Sequence, residues 1–280
     1  MSKPQVWTWE PNSNSGKPLF ALKQKGVDFD YHYINMTDFE HHTPEYLARN
    51  PAGTLPTMEH NGKIFTESTP MVEYIDAAWP DQGPRLMPAD AKGRYLVRFW
   101  GRAITAYAGA LSVIGWHNFV GPMARAKGPE EIKRILERIP TKERRIAWQT
   151  AVNSTFTEDQ LANARAGVGR GVQMMEERLK QDKFLAGPAY SVADLDCFAN
   201  FYSLPMSVPE HANKEKAPRY IDWLLRIYNM PGTMEAFGLA RTLGTRAFGV
   251  KEALEAGRQP VAPTAQSMAE KAAQSSAANA

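Results

Sequence analysis

The sequence predicts a small α/β domain followed by a larger all-helical one. Three observations carry this expectation. Short runs before residue 80 alternate between strand-like and helix-like patterns, a proline-rich stretch interrupts the chain at residues 80–88, and beyond it apolar positions recur at spacings of three and four. A chain of 280 residues has room for about two domains. Its 43% hydrophobic content is enough to bury a core without disulfide or metal staples.

Residues 5–9 are apolar and aromatic and read as a strand. A polar turn over residues 11–16 leads into a short helix that Pro18 opens and Gly26 closes. Residues 28–34 alternate Phe29, Tyr31 and Tyr33 with polar neighbours, the period of a second strand. Residues 55–59 and 63–65 flank His60-Asn61-Gly62, and Asn-Gly between apolar runs marks a hairpin. A helix over residues 70–79, with Pro70 near its first position, ends the first part. Beyond the linker, Leu96, Phe99, Trp100, Ala103, Tyr107, Leu111 and Ile114 trace one helix face, and Ile132, Ile135, Leu136 and Ile139 trace another. Residues 168–179, 192–204 and 220–228 supply further helices. No aromatic follows Phe248, and the last stretch, mostly Ala, Ser, Gln and Pro, buries too little to offset its ordering entropy. The expected division is therefore an α/β domain at 1–83, a linker at 84–92, an all-helical domain at 93–250 and a disordered tail at 251–280.

Composition removes several function classes. A net charge of +3, from 33 basic and 30 acidic residues, is too even for a nucleic-acid-binding face. One cysteine, Cys197, excludes an intrachain disulfide framework and a Cys-cluster metal site, and its apolar helical setting marks it as a buried structural thiol. No His, Asp and Glu grouping has metal-ligand spacing, and no glycine-rich phosphate loop is present. The start at Met1 lacks the apolar core of a signal peptide. The longest apolar stretch, residues 106–116, is about half the roughly 20 residues a membrane span needs. A soluble, cytoplasmic protein is expected.

Three polar features fall at strand–helix junctions of the first part. Asn12-Ser13-Asn14-Ser15 would stand at a helix N-terminus, where backbone N–H groups and the macrodipole favour an anion. The plainer alternative is that Ser13 or Ser15 only caps the helix. In the run 50–56, Pro56 opens a strand directly before the hairpin, which suits an edge position or a cis bond. A cis Leu55–Pro56 bond would turn the Leu55 backbone outward for a peptide-like ligand; the alternative is an ordinary trans proline. Thr66-Glu67-Ser68-Thr69-Pro70 is again a polar turn into a helix. Its hydroxyls suit a carboxylate and Glu67 an ammonium, unless the turn is only a cap with a solvated acid.

Together these features resemble the glutathione transferase family, a thioredoxin-like N-terminal domain followed by an all-α C-terminal domain, over roughly residues 5–250. Tyr190-Ser191-Val192-Ala193-Asp194-Leu195 adds a capping box of the Asp kind with a hydrophobic staple. The resemblance implies glutathione as co-substrate, bound through the backbone at Leu55 beside Thr54 and Pro56, through Glu67 and Ser68 at the γ-glutamyl group, and through His41 or His42 at the glycyl carboxylate. A histidine in such a loop is otherwise simply solvated. The first strand ends in Trp7-Thr8-Trp9, so no tyrosine activates the thiol, and no cysteine occupies the turn. Ser15, then Asn14, then Ser13 remain as activators. The resemblance also implies a homodimer.

Asn14-Ser15-Gly16-Lys17-Pro18-Leu19, Ile114-Gly115-Trp116-His117-Asn118-Phe119-Val120 and the stretch up to Trp148 are similar to a narrower branch, the bacterial β-etherases that act on lignin-derived aryl ethers. The alanine-rich tail departs from that pattern. The branch implies a glutathione thiolate displacing a phenol at the carbon β to an aryl ketone. Tyr107, Trp116, His117, Phe119 and Trp148 are the candidate pocket residues, with residues 115–160 as the wall and His117 placed to bond the ketone or the leaving phenolate. Other transferase chemistry, conjugation or dehalogenation, and a non-catalytic glutathione-binding regulatory module are the competing readings.

Overall fold

The computed structural model describes residues 2–262 except 140, 154 and 243. Its first part is a four-stranded sheet in the order β2-β1-β3-β4, formed by β1 (Gln5–Thr8), β2 (Asp30–Tyr33), β3 (Thr57–His60) and β4 (Lys63–Phe65). β2 runs parallel to β1, and β3 and β4 are antiparallel additions. The parallel pair needs a crossover, which α1 (Ser13–Lys25) supplies before ending at Gly26 in the left-handed region, φ 66. Asn61 (φ 51) and Gly62 (φ 70) make the hairpin turn that the sequence signals. α2 (Pro44–Arg49) and α3 (Ser68–Ala78) complete this part.

The second part is helical throughout. α4 (Ala91–Gly115) passes through a π-turn at Trp116–Val120 into α5 (Gly121–Arg125), α6 (Pro129–Glu137) and α7 (Lys142–Asn153). α8 (Glu158–Arg178), α9 (Val192–Phe201), α10 (Leu204–Ser207), α11 (Pro218–Tyr228), α12 (Pro231–Phe237) and α13 (Gly244–Glu255) follow. The capping box at the start of α9 forms: Asp194 accepts from Ser191 N and Oγ at 3.0 and 2.8 Å. The same carboxylate accepts from Leu185 N and Trp223 Nε1, so it fixes two neighbouring segments as well.

One core joins the two parts. Phe20 of α1 packs edge-on against Phe198 of α9 and Phe237 of α12, with ring centroids 5.7 and 5.1 Å apart. Buried Asp76 of α3 accepts from Lys25 and from the backbone of Leu86 and Met87, which anchors the linker. A smaller core of Phe39, Ala124, Ile135, Leu136, Ile139 and Val152 seats α5–α7 on the connection after β2.

Several boundaries differ from expectation. α1 starts at Ser13, so Ser13, Asn14 and Ser15 form its first turn and Pro18 lies inside it. The reason is extended Asn12 (φ −147), whose carbonyl accepts from Gly16 N; it is the N-cap, and no side chain caps the helix. Neither Ser13 nor Ser15 therefore caps it. α3 likewise starts two residues before Pro70. α13 runs past residue 250 and buries Ala253 and Leu254, each 8% exposed. Residues 263–280 of the expected tail lie outside the described residues. Cys197 is buried, and that burial pushes its thiol well up. Among the described residues no helix is long and apolar enough to cross a membrane, and no three His, Cys, Asp or Glu side chains gather as metal ligands.

Candidate functional site

The sheet register gathers the three polar junctions at one end. Val6 pairs with Met58 and Trp7 with Thr57, so Thr8 and Trp9 continue opposite Pro56 and Leu55. Met58 pairs with Phe65, so Thr66 and Glu67 continue opposite Thr57 and Pro56. The Leu55–Pro56 bond is cis. Asn50 and Tyr46 hold this loop from below: Asn50 Nδ2 donates to Thr54 O and Thr57 Oγ1 at 2.9 and 3.0 Å, and the Tyr46 hydroxyl donates to Thr54 O. Glu67 is the extended N-cap of α3 and is exposed, while Ser68 begins the helix and is 9% exposed. The α3 N-terminus thus opens onto the edge where Leu55 lies.

The first turn of α1 separates the three activator candidates. Ser13, at φ 52, donates its hydroxyl to Asn200 Oδ1 of α9 at 2.9 Å. That bond occupies the single O–H of Ser13. Ser15 is 7% exposed, and its carbonyl accepts from Thr8 Oγ1 at 3.0 Å. Asn14 is exposed. Asn14 and Ser15 are the other side-chain donors of the turn.

His41 and His42 are not in solvent: each is 2% exposed, and neither ring nitrogen of either has a hydrogen-bond partner among the described residues. Their rings meet at 4.1 Å between centroids under Phe39 and Trp148. Burial pushes His42 down to about 4 and His41 well below its ordinary value, and the positive charge of Arg144 on α7 adds to both shifts. Both are neutral near pH 7.

Of the proposed pocket rings, the structure groups two. Trp116 stands edge-on to Trp148 at 4.7 Å and, like Leu55, packs against the small cluster of Trp9 and Val120. Trp9 is 2% exposed, and its Nε1 has no acceptor among the described residues. Phe119 lies one turn on, under the Arg246 guanidinium at 3.6 Å. Tyr107 faces another way, edge-on to Phe201 in the main core. His117 is exposed.

A buried polar group that sequence reasoning missed links this edge to the helical part. Lys17 Nζ lies 3.3 Å from Asp196 Oδ1 and 3.0 Å from Thr69 Oγ1, and Thr69 donates to Asp196 Oδ2 at 2.8 Å. Lys17 and Asp196 are 3% and 1% exposed. Burial raises the Asp196 carboxyl even though Lys17 and Thr69 oppose it. The one sequence signal was a second aspartate, beyond the capping Asp194, in the mostly apolar run 192–201. Glu10, also buried, accepts from the Arg241 and Thr242 backbone and from the Tyr33 hydroxyl, tying the segment before α13 to the same turn.

Comparison with known proteins gives the family and the fold. The profile described as "Glutathione S-transferase, N-terminal domain" matches residues 13–78 and that described as "Glutathione S-transferase, C-terminal domain" matches residues 141–231. The chain is 32% identical to Protein LigF of Sphingobium sp. (strain NBRC 103272 / SYK-6) over 238 residues, 83% of this chain and 92% of that protein. The crystal structure of Beta-etherase LigF from Sphingobium sp. strain SYK-6 superposes with a TM-score of 0.79 at 30% identity, covering 85% of this chain and 99% of that one. A theta class glutathione S-transferase from Xanthomonas axonopodis pv. citri, solved with glutathione bound, shares the fold at a TM-score of 0.63 and 20% identity, over 84% of this chain and 97% of that one.

Proposed function

We propose that this chain, which belongs to the glutathione S-transferase family and so takes glutathione as co-substrate, cleaves β-aryl ethers of the lignin-derived kind. The observation that carries the reading is the Trp116–Trp148 ring pair joined to the Trp9–Val120 cluster against which Leu55 also packs, at the sheet edge where the α1 turn and the α3 N-terminus meet. Likeness to a protein described as a β-etherase over most of both chains supports the substrate class.

Leu55 offers its backbone to the cysteinyl unit, and Glu67 and Ser68 take the ammonium and carboxylate of the γ-glutamyl unit. The thiol has an ordinary pKa of about 8.5, so its ionisation must be assisted. Ser15 Oγ or Asn14 Nδ2 donates to the sulfur, and the α1 N-terminus adds its dipole. The thiol proton passes to solvent. The thiolate then attacks the carbon β to the ketone, a C–S bond forms, and the C–O bond breaks with its electron pair on the departing phenolate, which is protonated. Orienting two reactants side by side supplies much of the rate. Rings suit such a substrate, with Trp116, Trp148 and Phe119 as the wall. A homodimer in the cytoplasm completes the reading.

The test is phenol release from a racemic guaiacyl β-aryl ether ketone with glutathione, followed by chiral chromatography. Release that stops near half conversion, leaving one enantiomer, is expected. Glutathione binding without release moves the chain to conjugation or dehalogenation; no glutathione binding removes the assignment of Leu55, Glu67 and Ser68. Thiol titration in the bound complex orders the activators: Ser15→Ala or Asn14→Ala raises the thiol pKa, and Ser13→Ala leaves it unmoved.

A further inference from the structure

The glycyl end of glutathione poses a charge problem that the first part of the chain does not solve. An extended tripeptide paired with Leu55, its γ-glutamyl end at Glu67 and Ser68, advances about 3.3 Å per residue. Its other carboxylate then falls on the opposite side of Leu55, toward Gly53 and the buried histidines; a Cβ on Gly53 would stand 2.8 Å from His42 Nδ1. A carboxylate leaving water needs a cation or several donors. Between Ile34 and Leu55 the sequence has one lysine or arginine, Arg49, and its guanidinium is stacked 4.3 Å over Trp7. His41 and His42 are neutral, so each brings at most one N–H and no charge.

The cation at this spot comes from α7 instead. Arg144 donates to the carbonyl of Ala52 and, at 2.8 Å, to that of Gly53, and its charge is felt by both histidines. Among the described residues it makes no ion pair. Five N–H groups on a guanidinium leave donors free after two bonds. We propose that Arg144 receives the glycyl carboxylate, so that the helical part of the chain completes the glutathione site. This rests on the glutathione reading above.

Calorimetric titration of the full chain with glutathione and with its glycyl ethyl ester tests it, on the parent protein, Arg144→Gln and Arg144→Lys, each checked for its fold by circular dichroism. The ester keeps the thiol and the γ-glutamyl unit but removes one charge. The parent is expected to bind glutathione about tenfold tighter than the ester. Arg144→Gln is expected to abolish that ratio with little change for the ester, and Arg144→Lys to keep part of it. An equal loss for both ligands in Arg144→Gln would mean that Arg144 only holds the 52–53 loop, and the proposal falls. Equal binding of both ligands by the parent overturns the proposal while leaving the glutathione reading intact. Binding of neither overturns both.

Discussion

Replacing Lys17 with methionine leaves Asp196 with its acceptor oxygens buried and its counter-charge gone. Removing one partner of a buried pair costs about 3 to 5 kcal/mol, and the structure sets how that cost varies with pH. The variant can escape the uncompensated charge by protonating Asp196. For a carboxyl of ordinary pKa 3.8, that escape costs about 4 kcal/mol at pH 7 and about 2 kcal/mol near pH 5. The folded variant then holds a proton that the unfolded chain releases, so its stability falls as pH rises. Urea denaturation should show Lys17→Met about 4 kcal/mol weaker than the parent at pH 7 and about half that near pH 5. At roughly 2 to 4 °C per kcal/mol, the melting temperature at pH 7 should drop by about 8 to 16 °C. Adding Asp196→Asn to the variant should restore the charge-dependent share. A loss below about 1 kcal/mol, or one equal at both pH values, refutes the argument that burial of this pair governs its cost.

Three further outcomes follow from the geometry. Gly53→Ala puts a Cβ 2.8 Å from His42 Nδ1 and 3.2 Å from His41 O at a backbone φ of 55; a stability loss of about 1 to 3 kcal/mol and a raised KM for glutathione are expected, by denaturation and steady-state kinetics. His42, held at about 4 against an ordinary 6.5, and His41, held well below its ordinary value, favour the neutral fold, so stability should fall as pH drops from about 6.5 toward 4. The loss from His42 is about 2 kcal/mol near pH 5, His41 adds to it in the same direction, and His→Asn at both positions should flatten the urea profile. Trp116→Ala removes the ring edge-on to Trp148; KM for the aryl ether should rise about tenfold or more while KM for glutathione stays within about twofold, and the reverse pattern would place Trp116 in the glutathione site.

What was legible in the sequence was local. Asn61-Gly62 specifies its own turn through backbone preference, and Ser191 with Asp194 specifies its own cap, so both form where the sequence puts them. The three junctions were recognisable as polar runs, and the β-pairing register then brings them to one edge. Several helices escaped detection, two of them for plain physical reasons: α2 is six residues long, and α7 carries its apolar residues without a clean face. Missing α7 had consequences, because Trp148 and Arg144 arrive on it. The histidines beside Phe39 read as solvated precisely as long as the ring that covers them, over a hundred residues away, is out of view. Lys17, Thr69 and Asp196 are likewise unremarkable until folding brings three helices together.

The contact between α1 and α12 bears on how this protein can be recombined. Gly232 approaches the main chain of α1 so closely that a Cβ would stand 2.7 Å from Lys23 C and Gln24 N, and Gln24 Nε2 donates to Thr233 Oγ1 at 3.0 Å beside it. A chimera cut at residues 80–90, the visually obvious joint, would separate two surfaces fitted to each other at backbone resolution. The practical crossover unit is therefore the α5–α7 excursion, whose small core takes in Phe39 from the first part and which carries Trp148. Swapping residues 121–153 alone should exchange Trp148 and Arg144 while leaving Trp116, Phe119 and the α1–α12 seam in place.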